Sequence, residues 1–206
     1  MIELGTVLIL SAVLLFLYNQ WEAARAQEAA QQTAMLLEAA IWEGDSDSAT
    51  VKVEIVEREG TEAEEAGTEE ATETVIEILE EDYIGLLEIP GFGLELPVMA
   101  EWSYAGLKTA PGRYSGYAAD GDLVICGHNY ERHFGKLSSL ETGDTITFTA
   151  ADGTVYIYEV TGVTTLRPTE VEELLSGDWD LSLFTCTVGG QARVVVRCAM
   201  AEAPDK

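Results

Sequence analysis

Between Ile84 and Ala199 the sequence is cut into short strand-like segments of four to seven residues, apolar or alternating, with turn-forming Pro, Gly and Asp between them. Runs this short cannot build helices of useful length, so the chain after Tyr83 predicts a mainly β domain. Ile84–Ile89 reads as a strand stopped by Pro90-Gly91. Leu94–Val98 follows, with Pro97 marking an edge. Leu123–Cys126 is a short buried strand. Thr145–Thr149 and Thr154–Val160 alternate and flank Ala151-Asp152-Gly153, an Asp-Gly hairpin signal. Leu181–Thr187 and Arg193–Ala199 are joined by a tight loop through Gly189-Gly190. Pro168-Thr169 opens a short helix, with Thr169 and Glu172 at capping-box spacing and Val171, Leu174 and Leu175 on one apolar face. Many short strands with one or two short helices predict a closed or nearly closed β-barrel over residues 83–206.

The residues before Tyr83 have a different texture. Leu4–Tyr18 is apolar and uncharged. At ~1.5 Å per residue it spans roughly 22 Å of a ~30 Å hydrocarbon layer, and Ile2 and Trp21 extend it. Residues 1–21 therefore read as an N-terminal signal-anchor. The alternatives are a cleaved signal peptide, for which Ala24-Arg25-Ala26 is a small-x-small site, and a buried core helix. No Lys or Arg precedes the apolar run, so charge does not set an orientation. Residues 22–43, rich in Ala, Gln and Glu, predict a helical stalk. Residues 44–82 predict a disordered acidic linker: residues 43–82 hold two basic and sixteen acidic side chains, and Glu62–Glu70 has no aromatic residue. Val51–Val56 is the one alternating patch there, able to pair weakly.

The formal charge of −26 argues against nucleic-acid binding. More than half of it sits in residues 43–82 and describes a tether more than a working surface. Three cysteines in 206 residues are too few for a disulfide scaffold. The only histidines are His128 and His133, and no GxSxG elbow, phosphate loop, CxxC or HExxH occurs. Enzymatic options narrow to cysteine–histidine chemistry or metal binding. A Cys126–His128–His133 metal site lacks a clear fourth ligand, and no acidic run has the EF-hand pattern. No cofactor is expected, and calcium modulation is left open.

Strand parity sorts the remaining candidates. Leu123 and Ile125 face the core, while Val124, Cys126 and His128 share the outer face. In the last strand Val194, Val196 and Cys198 form the inner row, so Arg193 and Arg197 project outward. Cys126 and Cys198 then point to opposite faces, and both are expected free. His133 reads as a surface or loop-packing residue. Cys186 ends its strand, beside the arginines of the next, where a thiol is placed to react as a thiolate. Such a thiol needs a proton donor for the leaving amine and donors for an oxyanion. His128 suits the first role and the fixed guanidinium of Arg193 the second. Arg197 begins roughly 13 Å further down the strand than Arg193.

Leu183-Phe184-Thr185-Cys186 followed by Arg193-Val194-Val195-Val196 resembles the sortase signature, L-x-T-C and then Arg in an apolar strand. Gly127-His128-Asn129 resembles the sortase histidine motif, about sixty residues upstream of the cysteine. Tyr83–Pro97, with Ile89-Pro90 and Leu96-Pro97, is similar to the opening strands of that family. The resemblance covers residues 83–202 and implies an eight-stranded barrel. It implies a membrane-anchored cysteine transpeptidase of Gram-positive bacteria that cleaves an L-P-x-T-G-like sorting motif through a thioacyl intermediate and joins it to an amine. The implied partners are surface proteins or pilins with a C-terminal sorting signal, and an amine of a cell-wall peptide or pilin lysine. The implied location is a single-pass membrane protein with its catalytic domain on the wall side. Cys186, His128 and Arg193 fall on the catalytic motif. Thr185, Asn129 and Arg197 are the substrate-binding candidates, with Thr185 either hydrogen-bonding near the substrate or simply packing. The Arg132–Leu140 stretch and the short loop from Cys186 to Arg193 look more like class B or D than class A. A hydrolytic cysteine protease and a catalytically silent, membrane-tethered binding module are the other readings. Pocket residues that choose the substrate are expected around Thr164–Trp179.

Overall fold

The structure, a computed structural model, describes residues 2–43, 51–57 and 72–201. A long helix α1 (Ile2–Glu43) comes first. Ten strands follow: β1 (Val51–Glu57), β2 (Thr72–Ile78), β3 (Glu81–Ile89), β4 (Leu94–Met99), β5 (Gly112–Ser115), β6 (Leu123–Gly127), β7 (Thr145–Ala150), β8 (Val155–Leu166), β9 (Leu181–Cys186) and β10 (Arg193–Met200), with helix α2 (Val171–Leu175) between β8 and β9. The strand order is β1-β2-β3-β4-β5-β6-β9-β10-β8-β7, and β7 returns to pair with β3. Strands β3 to β10 thus close an eight-stranded barrel, and β1–β2 extends from its seam as a hairpin.

The alternation in the sequence builds this closure. Leu123 and Ile125 of β6, Leu181 and Leu183 of β9, and Val196 and Cys198 of β10 fill the interior. Their alternates Val124, Cys126, Phe184 and Val195 form a second apolar layer on the outside, together with Leu166 and Leu174. Closure brings β3 close against β7: a Cβ on Gly85 would meet the Thr149 carbonyl oxygen at 2.2 Å, so only glycine fits. Pro97 sits on β4, whose far side makes only the Met99–Gly112 bridge to β5, so its missing N–H is tolerated as at an edge. The Asp-Gly turn forms as read, with Gly153 at φ +85° and Thr154 N–H donating to Asp152 Oδ1.

Two expectations change. The capping box of the short helix does not form: Glu170 is the N-cap position, and its carboxylate instead accepts from the Arg167 backbone and side chain. The acidic stretch 44–82 is not all linker, because 51–57 and 72–78 are paired strands. Val51, Val75, Ile76 and Ile78 of these strands are buried and Glu73 pairs with Arg113, which gives them enough burial to be ordered. Residues 44–50 and 58–71 of that expected linker lie outside the described residues.

The hairpin and α1 share a second core on the flank of the barrel. Ala34, Leu37 and Ala40, spaced to lie on one helix face, pack with Ile76, Ile78, Tyr83 and Leu86. The Tyr83 hydroxyl and the Thr33 side chain share a hydrogen bond. The other end of α1 behaves differently: Val7, Leu10, Leu14, Leu17 and Trp21 are exposed. Among the described residues no helix is long and apolar enough to cross a membrane. The expected anchor over residues 1–21 therefore rests on the sequence alone.

Candidate active site

Three strand ends meet at one mouth of the barrel. β9 runs parallel to β6 with Gly127 opposite Thr185, and antiparallel to β10 with Cys186 opposite Arg193. The residues that follow in register are therefore His128 at the end of β6, Cys186 at the end of β9 and Arg193 at the start of β10. Thr185 is buried, and its Oγ1 donates to the Gly127 carbonyl at 2.8 Å. That bond ties the β6 and β9 ends together immediately before His128 and Cys186. Of the two roles left open for Thr185, the hydroxyl takes a structural one, although the residue also lines the groove described below.

Cys186 is exposed, whereas Cys126 and Cys198 are buried, and all three are free thiols. Burial pushes both Cys126 and Cys198 up to about 12, so they stay protonated at neutral pH. Cys126 Sγ lies 3.5 Å from the Gly112 carbonyl oxygen. Accessible thiol chemistry falls to Cys186 alone. The loop from β9 to β10 is closed by Thr187, whose N–H donates to the Ala192 carbonyl and whose Oγ1 accepts from Ala192 N–H. Gly189 and Gly190 are left-handed there, at φ +86° and +72°. Half-buried Arg193 folds back on this loop, its Nη1 donating to the Gly190 and Ala192 carbonyls at 3.2 and 3.1 Å.

His128 stacks on Tyr130 with ring centroids 3.8 Å apart and planes 19° apart. Its carbonyl accepts from Phe134 N–H, which folds residues 128–134 into a tight turn. His133, whose ring centroid lies 5.8 Å from that of Tyr130, is buried and packs in that loop rather than on the surface. Burial, with His128 adding to it, lowers its pKa to about 4, so it is neutral at physiological pH. Among the described residues no group of His, Cys, Asp or Glu could hold a metal ion.

A groove of about 190 Å³ runs from Cys186 and Arg193. One wall is Leu166, Pro168, Val171 and Leu174, from the region where sequence reasoning looked. The other is Trp102, Tyr104, Leu107 and Tyr114, which it missed. The signal for these was an aromatic cluster in a segment with no strand pattern: Trp102 meets Tyr104 and Tyr114 ring to ring, and Tyr114 in turn meets Phe184. Asn129 is half-buried and is not among the groove residues. Arg197 is not among them either. It is buried rather than projecting into solvent, because α2 and the loop after it fold over the outer face of β10.

An eight-stranded barrel that presents an exposed thiol, opposite an arginine and beside a histidine at one mouth, is the architecture of a sortase. The sortase-domain family model matches residues 87–201. Sortase A from Corynebacterium diphtheriae is 26% identical over 62% of this chain and 65% of its own, with a TM-score of 0.55. Sortase C1 from Streptococcus agalactiae is 27% identical over 59% and 68%, with a TM-score of 0.53. Clostridium perfringens sortase C, solved with the C-terminal cell wall sorting motif, shares the fold at 24% identity over 60% and 72%, with a TM-score of 0.53. The chain thus spans about two thirds of the length of the diphtherial enzyme. Similar structures range over sortase classes A, C and D. No curated protein matches the chain. The chain belongs to the sortase family, whose members are generally cysteine transpeptidases.

Proposed function

We propose that this sortase is a transpeptidase that cleaves an L-P-x-T-G-like sorting signal and transfers it to an amine, with Cys186 as nucleophile. The observation that carries the reading is the register at the mouth: the one exposed thiol stands opposite Arg193, beside the strand end that bears His128, where an apolar groove begins. The Cys186 thiolate attacks the scissile carbonyl carbon, and the oxyanion forms within reach of the Arg193 guanidinium once it turns from its loop carbonyls. The C–N bond then breaks as His128 delivers a proton to the departing amine. In the second half an incoming amine attacks the thioester, loses its proton to His128 and expels the thiolate, so the bond broken in the first step is rebuilt with a new partner. Groove residues Trp102, Leu107 and Leu174 offer the apolar contacts that a Leu-Pro segment requires. The sorting motif bound by the Clostridium perfringens relative is of the same substrate kind.

The proposal extends to the surroundings. The donors are surface proteins or pilins with a C-terminal signal, and the acceptor is an amine of a wall peptide or pilin lysine. The exposed apolar side chains of residues 7–21 are what a membrane anchor would present to lipid, with the barrel on the wall side. The test is incubation of the full chain with an L-P-x-T-G-type peptide, with and without triglycine, followed by mass spectrometry. A ligated product supports the transpeptidase. Cleavage without ligation points to a hydrolytic protease, and binding without turnover to a silent binding module.

A further inference from the structure

Arg193 and Arg197 leave β10 on the same face, yet only Arg193 borders the groove. Arg197 lies behind α2, and three of its five guanidinium N–H groups are engaged there. Nη1 donates to the Leu174 carbonyl and to Ser182 Oγ, both at 2.7 Å, and Nη2 donates to the Glu173 carbonyl at 2.6 Å. The ring of Trp179 covers it at 5.9 Å. Leu174 N–H closes on Glu170 and Ser176 N–H on Glu172, so α2 ends with the Leu174 carbonyl unused by the helix and the Glu173 carbonyl accepting only a long bond from Ser176 Oγ at 3.4 Å. A guanidinium meets both at once, with favourable charge at a helix C-terminus.

The position of this helix matters for the groove. Val171 and Leu174 line the groove in front, while Glu173, Ser176, Gly177 and Trp179 line a second cavity of about 390 Å³ behind. The wall is thin and has open space on both sides. Its N-terminal end is held by the Arg167–Glu170 pair, which is exposed and contributes little. Its C-terminal end is held by buried Arg197.

We propose that Arg197 is a positioning residue that fixes the α2 wall and thereby sets the width and substrate affinity of the groove, without touching the reacting atoms. The proposal rests on the transpeptidase reading for its substrate but not for its mechanics. Releasing the clamp lets Leu174 move toward the rear cavity, which weakens peptide binding and leaves the Cys186–His128–Arg193 mouth unchanged.

The experiment measures kcat and KM for an L-P-x-T-G-type peptide on wild type, Arg197→Ala, Arg197→Lys and Ser182→Ala, together with hydrogen exchange of amides 171–179. Arg197→Ala should raise KM at least about tenfold, the equivalent of one charge-assisted hydrogen bond, with kcat within about threefold. Amides 171–179 should exchange faster while those of β9 and β10 do not. Arg197→Lys should recover part of KM, and Ser182→Ala, which leaves both carbonyl bonds, should change it by less than Arg197→Ala. If Arg197→Ala does not fold, Arg197→Lys and Ser182→Ala decide by the same two readouts. Unchanged KM and exchange would overturn the proposal, as would a fall in kcat at constant KM. A wild type inert toward peptide, with amides 171–179 freed only in the variants, would refute the transpeptidase reading and leave the clamp standing.

Discussion

The mouth of the barrel and its flank are built on opposite terms. At the mouth, Cys186 is exposed and His128 and Arg193 are half-buried; strand register and the buried bond from Thr185 to Gly127 place them, with the Tyr130 ring against His128 and the loop carbonyls holding Arg193. On the flank, Leu37, Ile76 and Ile78 are buried against Tyr83 and Leu86, and no group with evident chemistry is present in that cluster. A site that must admit a peptide cannot bury its reactive groups, so its order is borrowed from strands held elsewhere. Substitutions at the mouth should therefore change rate and spare stability, and substitutions on the flank should do the reverse.

The sharpest test of that division is the nucleophile. Cys186→Ala should abolish peptide turnover and leave the melting temperature within a degree or two of wild type, by calorimetry and a cleavage assay on the same sample. Arg193→Ala comes next. Losing an oxyanion donor costs about 10²–10³ in rate, or ~2.7–4 kcal/mol of barrier, so kcat should fall by that factor. Arg193→Lys should rescue little, because an ammonium does not reproduce the planar fork.

On the flank, Leu37→Ala removes a fully buried side chain and should destabilise the protein by about 2–4 kcal/mol in urea unfolding. Its kcat should stay within twofold of wild type. A Leu37→Ala protein with unchanged stability would mean that α1 does not dock on the barrel in solution, and the flank would then be the linker that its acidic composition suggests.

The smallest effect is pH-dependent and comes from His133. Its folded pKa of about 4 lies below the ordinary 6.5, because burial disfavours the charged ring. Between those values the unfolded chain binds the extra proton, so the contribution is complete above pH 6.5 and is lost as pH falls toward 4. By pH 4.5 the loss should reach roughly 2–3 kcal/mol relative to pH 7. His133→Phe should remove that portion of the slope, which difference melting curves at pH 7 and 4.5 will show. An equal slope in both proteins would place His133 in water.

The mouth was the more legible of the two regions. Alternation in Leu123–His128 and Arg193–Ala199 assigns faces correctly, and the L-x-T-C and G-H-N segments carry the family. The flank was hidden for physical reasons. The turn joining β2 to β3 uses Leu79 and Glu80 at φ +54° and +67°, where turn chemistry favours Gly or Asn, so no hairpin signal marks it. The docking stripe of α1 is largely alanine, and Ala reads as helix propensity rather than as contact. Arg197 was legible in direction only. Parity gives the outer face, but not the α2 segment that folds over it from more than twenty residues earlier in the chain.

The central claim is that Cys186, and no other thiol, forms the acyl-enzyme. It is tested most directly by acid-quenching the full chain with an L-P-x-T-G-type peptide in the absence of added amine, followed by intact-mass and fragment analysis. The account predicts an adduct equal to the peptide's N-terminal cleavage fragment, on the segment containing Cys186, lost on addition of triglycine and absent in Cys186→Ala. An adduct on Cys126 or Cys198, or turnover with no trapped thioester and full activity in Cys186→Ala, would contradict it.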